Sequence, residues 1–437
     1  MDKEPKLSIG AINPYALTET LLGRKIDWSK KSSIKIMEDT LETDYSELFD
    51  MKFNSPIFAG LKLNKDNMPE PLKESEIKIR KLEDSETPDM SRLKKLSELK
   101  ALGIKNLSDI KVKSSLINKD SLELKLDIPN LSQTLSKSVL SESLASIVLN
   151  KSGSSSKEWT PQNGVWVDKG DFFNDVVEYS DPIQGAVANC YFIAALNAVA
   201  WADPYKIVHR NRATATGETR RVSAIQFYSK GGNNKNAPTK LIEVSDKTVV
   251  NASNNNWIYC RSNDNNEIYP ALYEKAFAKW ITKTNSDKPD ITKTAWGNCV
   301  KATAQLNNKK PYYYNTKNRT GSEMYSIVRA NARGRKTIHP MTAWTYGSSD
   351  KTYTGTNVVA SHCYTILGWS FNRGKKYIVL RNPWGRTEPA GLNTYQGLIS
   401  FFDGSFWRPI NTIGNDGVFA LEANSFKSLF AGLGVAK

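Results

Sequence analysis

Apolar positions after Asn189 fall at Phe192, Ile193, Leu196, Val199 and Ala200, the spacing of one helix face. Asn189 is a good N-cap residue, and Asp203-Pro204 ends the run. The pattern predicts a loop leading into a helix whose first turn holds Cys190. Arg220–Tyr228 reads as a strand, and Ile268–Trp280 as a helix with Pro270 in its first turn and Leu272, Ala276 and Trp280 aligned. Beyond about residue 310 the pattern is mostly that of strands. Cys363–Trp369 and Lys376–Asn382 flank turn residues at Asn372-Arg-Gly374, which predicts a hairpin. In such a hairpin His362 and Asn382 come to the same end.

The first 150 residues read differently. Leu93, Leu96, Leu99 and Leu102 suggest a helix over 91–102 that Gly103 ends. The continuation to Ile110 loosely matches a helix-hairpin-helix turn, and a plain helical turn accounts for it as well. Leu122, Leu124, Leu126 and Ile128 alternate like a short strand, and 131–149 reads as an amphipathic helix. No Phe, Trp or Tyr occurs between Phe58 and Trp159, so this stretch is a light helical module or partly disordered. Lys151–Lys157, rich in Ser and Gly, has the composition of a flexible linker.

The 437 residues can hold two or three domains with a substantial core. No run of about eighteen apolar residues predicts a membrane span. The charged start lacks the apolar segment of a secretory signal, so the expectation is a cytoplasmic protein or one exported by another route. Cys190, Cys260, Cys299 and Cys363 lie far apart without CxxC spacing, which argues for reduced thiols over a zinc site or disulfide scaffold. The net charge of +15 is uneven: residues 1–158 carry 26 basic and 25 acidic side chains, so nearly all the excess lies beyond them. Such a field can draw acidic substrates, nucleic acid or anionic surfaces, or serve solubility alone. Solubility is the simpler reading, and nucleic acid is not favoured.

Cys190 at a helix start sits where free backbone N–H groups and the helix dipole favour a thiolate. A lone Cys can equally be a small buried hydrophobe, so the partners decide. Of three histidines, His209 falls among basic residues and His339 precedes a proline in a loop-like stretch. His362 opens the hairpin strand, and Cys363 next to it falls on the opposite strand face and is expected to be dispensable. There the Asn382 amide can accept from one imidazole nitrogen and leave the other facing a thiol. Trp384 can cover that hydrogen bond from water.

Four motifs occur in order: Gln184-Gly-Ala-Val-Ala-Asn-Cys190-Tyr, Tyr269-Pro-Ala-Leu-Tyr-Glu-Lys-Ala-Phe-Ala-Lys279, Ser361-His-Cys-Tyr364 and Leu380-Arg-Asn-Pro-Trp-Gly385. Together with Asn415–Phe426 they resemble the core of the calpain family of papain-like cysteine proteases over about residues 159–430. The resemblance implies an α+β papain-like fold, with a helical lobe (159–309) that carries the Cys and a strand-rich lobe (310–437) that carries the His and Asn. It also implies cysteine endopeptidase activity, with Cys190 as nucleophile, His362 as general base and acid, Asn382 as orienter and Gln184 as oxyanion donor. This chain has Asn189-Cys190-Tyr191 where the family usually has Asp-Cys-Trp, and Ser361-His362-Cys363 where it has Gly-His-Ala. Acyl transfer of the transglutaminase type and a non-catalytic binding module with a basic surface are the alternatives. By the same likeness Asp181 and Glu274 could ligate calcium; as plain residues they read as an exposed loop acid and a helical Glu paired with a lysine. Residues 1–150 are expected to form a pro-region or targeting region that restrains the protease, with a helix such as 131–149 across the cleft, or else an unrelated adaptor. Residues 151–158 are the linker. Protein or peptide substrates are the expected partners.

Overall fold

The computed structural model describes residues 2–37 apart from 29, 31 and 34, two short strands at 111–112 and 126–127, and 158–437 apart from 175, 211, 214–221, 230–238, 348–352 and 403–406. The expected helices at 91–102 and 131–149, the turn at 102–110 and the linker at 151–157 lie outside the described residues. The strand expected over 122–128 is described only at Leu126–Asp127, which pairs antiparallel with Lys111–Val112.

The chain is α+β. Helix α1 (Pro14–Leu22) starts at Asn13, whose side chain accepts from the Tyr15 and Ala16 N–H groups, and stops at Gly23 in the left-handed region. Strand β1 (Gly164–Asp168) comes next, then α2 (Cys190–Ala202), β2 (Val222–Tyr228), β3 (Thr239–Ser245) and β4 (Lys247–Asn251). Helices α3 (Tyr269–Thr282) and α4 (Cys299–Asn307) complete this part of the chain. Helix α2 is apolar all round, and every residue from Cys190 to Trp201 is buried. A helix of that kind must be a central strut rather than a surface element. It packs in one core with α3 and α4, which contribute Leu272, Ala276, Phe277, Val300 and Leu306. Phe192 stacks on Phe277 with ring centroids 4.1 Å apart.

The second part is a sheet built from strands β5 (Pro311–Asn315), β6 (Lys336–Thr345), β7 (Cys363–Asn372), β8 (Lys375–Arg381), β9 (Val418–Glu422) and β10 (Phe430–Ala436), with short strands at 332–333 and 394–395. The spatial order is 394–395, β9, β8, β7, β6, β10, β5, with antiparallel pairing throughout. Helices α5 (Gly321–Ala330) and α6 (Ala423–Leu429) pack on it, with Met324, Val328, Phe426 and Leu429 in the sheet's apolar layer. The β7–β8 hairpin closes through Arg373 and Gly374, both at positive φ, the two-residue turn whose twist matches its strands. His339 lies inside β6, not in a loop. Its neighbour Pro340 is accommodated where the β6–β7 register shifts between Lys336 and Met341, so no ladder hydrogen bond is asked of it.

The two parts meet along α2 and β7, where Thr365 Oγ1 donates to the Ala194 carbonyl at 2.8 Å. The loop before α2 is held from both sides. Ile183 N–H donates to the Arg261 carbonyl, and Gln184 N–H to the Pro383 carbonyl, each at 2.9 Å. Gly185 passes so close to Tyr259 that a Cβ there would lie 2.3 Å from a backbone carbon. The neighbour is backbone and cannot swing aside. Gly185→Ala is therefore expected to destabilise the fold by about 1–3 kcal/mol, read as a lower urea midpoint at unchanged slope.

Candidate functional site

Cys190 is the first residue of α2 and fully buried. Burial alone would push its thiol up. Against that stand a hydrogen bond with the Cys363 thiol, the charge of His362, and the Ala11 N–H, which donates to Sγ at 3.3 Å. These partners hold the Cys190 thiol well below its ordinary value, and the helix start favours the same charge state.

The hairpin does bring His362 and Asn382 together. Imidazole Nε2 lies 2.9 Å from Asn382 Oδ1. The amide's orientation is pinned independently, because its Nδ2 donates to the Thr387 carbonyl at 3.1 Å while Oδ1 also accepts from the Trp384 N–H. Facing an oxygen, Nε2 must carry the proton, and Nδ1 is left as the basic nitrogen. Nδ1 is buried and has no hydrogen-bond partner among the described residues. The histidine backbone is clamped by Thr345, whose Oγ1 accepts from the His362 N–H at 2.9 Å. Trp384 is buried, with its ring centroid 4.8 Å from the imidazole's, and so covers the pair from water.

Gln184 is buried beside this group. Its Nε2 donates to the Ala11 carbonyl at 2.5 Å and to the Val187 carbonyl at 2.6 Å. Arg381, one residue before Asn382, is buried as well. Its guanidinium donates to the Pro182 and Ser180 carbonyls at 3.0 and 2.7 Å, pinning the loop that leads into Gln184. With its side-chain amide turned over, Asn197 both donates to the Pro182 carbonyl and accepts from Arg381. Neither residue was expected at the site. Arg381 lay in view inside the Leu380–Gly385 motif, but a buried arginine that binds only carbonyls leaves no sequence signal.

Three expectations need correction. Asn189 precedes the helix but makes no side-chain cap; its Nδ2 donates to Glu274 Oε1 at 2.7 Å and to Thr294 Oγ1 at 2.9 Å. A cap needs the amide oxygen, and with Nδ2 committed to Glu274 and Thr294, Oδ1 makes no hydrogen bond to the helix N–H groups. Next, Glu274 is not paired with a lysine and Asp181 is not exposed. Both Glu274 oxygens take N–H donors, from Asn189 and from the Cys260 backbone, and Asp181 Oδ2 takes the Glu178 N–H and the Tyr269 hydroxyl. Burial pushes the Glu274 carboxyl up to about 7. A calcium ion needs six to eight oxygen ligands, and carboxylate oxygens already committed to N–H donors do not fit that role. Among the described residues no cluster of three or more His, Cys, Asp or Glu is arranged for a metal. The third correction is Cys363. It does not face away from the site: its thiol is free, buried and hydrogen-bonded with Cys190 and Cys299, with burial pushing it well up.

Two outcomes follow from this geometry. Glu274→Gln must turn an amide N–H toward either Asn189 or Cys260, both donors, so a loss of about 1–3 kcal/mol is expected in urea unfolding at pH 7. In Cys363→Ala the Cys190 thiol loses an acidifying hydrogen bond. The pH profile of Cys190 alkylation by iodoacetamide should then shift upward relative to wild type; an unmoved midpoint means that Cys363 plays no part in it.

Comparison with known proteins gives the family of the chain. The model of the "Calpain family cysteine protease" family matches residues 138–436. A thiol protease of Porphyromonas gingivalis is 25% identical over 96% of this chain and 86% of its own length. Calpain-8 of Mus musculus is 24% identical over 48% of this chain, and calpain clp-1 of Caenorhabditis elegans 24% over 52%; these matches span 29% and 30% of those longer proteins. The buried Cys190, the imidazole held by an asparagine and the family match over most of the chain lead to one statement: this chain belongs to the calpain family of cysteine proteases.

Proposed function

We propose that the chain is an endopeptidase that cuts protein or peptide substrates through a thioester acyl-enzyme. The observation that supports this best is the closed set of contacts around one acidified thiol: Cys190 at the start of α2, and His362 with its Nε2 proton held by Asn382 under Trp384.

In this reading Cys190 gives its proton to Nδ1 of His362, and the thiolate attacks the substrate carbonyl carbon. The carbonyl electrons move onto oxygen, where the side-chain amide of Gln184 and the backbone N–H of Cys190 stabilise the charge. The imidazolium then protonates the departing amine, and the C–N bond breaks to leave a thioester. Water, deprotonated by His362, attacks the thioester carbon, and the thiol is regenerated as the acid leaves. Asn382 holds the ring through both steps without changing charge. If an amine rather than water reached the thioester, the same apparatus would transfer the acyl group.

Cys190→Ala and His362→Ala should each lower casein hydrolysis by at least about a thousandfold, while Asn382→Ala keeps a measurable remainder. Undiminished activity in Cys190→Ala overturns the reading. Incorporation of a labelled amine into casein faster than hydrolysis would favour the transferase instead.

A further inference from the structure

The two groups that a substrate must meet, the Cys190 thiol and the Gln184 amide, are both engaged by residues near the start of the chain. Over Pro5–Ile9 exposure alternates, with Pro5, Leu7 and Ile9 turned toward the protein and Lys6 and Ser8 outward, as in an extended strand. Ile9 makes a two-bond antiparallel bridge to Gly297, each N–H donating to the other's carbonyl at 2.9 Å. Gly10 then passes between the Ala188 carbonyl and the Trp296 ring. A Cβ at Gly10 would lie 2.5 Å from that oxygen and 2.9 Å from the ring. Ala11 comes next, with its N–H on Cys190 Sγ and its carbonyl on Gln184 Nε2. Asn13 Nδ2 donates to the Gln184 carbonyl at 2.7 Å.

Beyond the cleft the segment is anchored on both sides. Asp2 forms an ion pair with Arg319 at 2.7 Å, and its N–H donates to the Tyr313 carbonyl. On the other side Tyr15 packs edge-on against Trp384 and Trp28, and its hydroxyl accepts from Thr387 Oγ1 at 3.0 Å. Ala11, Tyr15, Trp28 and Met37 belong to the same apolar core as Cys190, Cys363 and Trp384.

We propose that residues 9–13 are a built-in occluding segment, which fills the cleft as an extended peptide and must leave before any substrate enters. This rests on the reading of Cys190 as the nucleophile. The segment binds as a peptide would, largely by backbone hydrogen bonds and with one position so narrow that only glycine passes. It blocks rather than reacts because Sγ meets the Ala11 N–H, a donor, and not a carbonyl carbon. The Gln184 amide is divided between Ala11 and Val187. Tethered at both ends, the segment competes at a high effective concentration, and substrate affinity falls by the fraction of molecules in which it is released. Residues 9–13 lie far upstream of the expected helix at 131–149, which falls outside the described residues.

The test uses the full chain, verified intact by mass spectrometry, as wild type, Gly10→Leu and Asn13→Ala. Two rates are measured: hydrolysis of a fluorogenic peptide, and alkylation of Cys190 by iodoacetamide, located by peptide mapping. Thermal unfolding establishes that each variant is folded. Both rates should rise by about tenfold or more in Gly10→Leu and by less in Asn13→Ala. A synthetic peptide of residues 5–17 should restore inhibition to Gly10→Leu, and the same peptide carrying Gly10→Leu should not. Wild-type alkylation equal to that of both folded variants overturns the occluder. If alkylation rises but no peptide is hydrolysed, the occluder stands and the protease reading fails. If the wild type hydrolyses peptide as fast as the variants, the reverse holds.

Discussion

A nucleophilic thiol placed at the junction of two packed parts faces a conflict, since burial that excludes water also opposes its ionisation. Cys190 is fully buried, yet its thiol is held well below the ordinary value. The surroundings of Cys190 answer that conflict. Helix α2 supplies free N–H groups at its start, β7 supplies the Cys363 thiol next to His362, and the N-terminal segment supplies the Ala11 N–H. No single element could do this. The site exists only where α2 and β7 touch, and the Thr365–Ala194 hydrogen bond holds them there.

The supports around the site share one chemical logic. Glu274, Arg381 and Lys275, of types that usually face solvent, are buried with their charged groups on protein partners. Glu274 ties Asn189, the residue before the nucleophile, to Cys260. Arg381 ties the loop at 180–182 to the end of β8, and Lys275 places its ammonium on the Ser245 and Lys247 carbonyls and on Asp287. Loss of one partner would leave a buried charge unmatched, which costs far more than the net worth of the contact. Such contacts fix geometry more than they add stability. They make the loop from Asp181 to Cys190 rigid, which is what placing an oxyanion donor against a nucleophile requires.

Much of the catalytic apparatus could be read from local patterns. The apolar spacing after Asn189 and the Asp203-Pro204 stop placed α2, and the turn at Asn372–Gly374 placed the hairpin whose register sets His362 beside Asn382. These signals are legible because helix period, turn chemistry and strand pairing act over a few residues. What only the tertiary structure decided concerns contacts between distant segments. Asn189 looked like a cap, but its amide N–H group meets the buried Glu274 carboxylate, and its oxygen bonds none of the helix N–H groups. Cys363 joined the site because β7 packs on α2. Residues 2–37 lacked any strong period, so their path could not be foreseen. Their place is set by a bridge to Gly297, an ion pair to Arg319 and an apolar anchor at Tyr15. Each of these pairs residues hundreds of positions apart, and no local pattern encodes such a meeting.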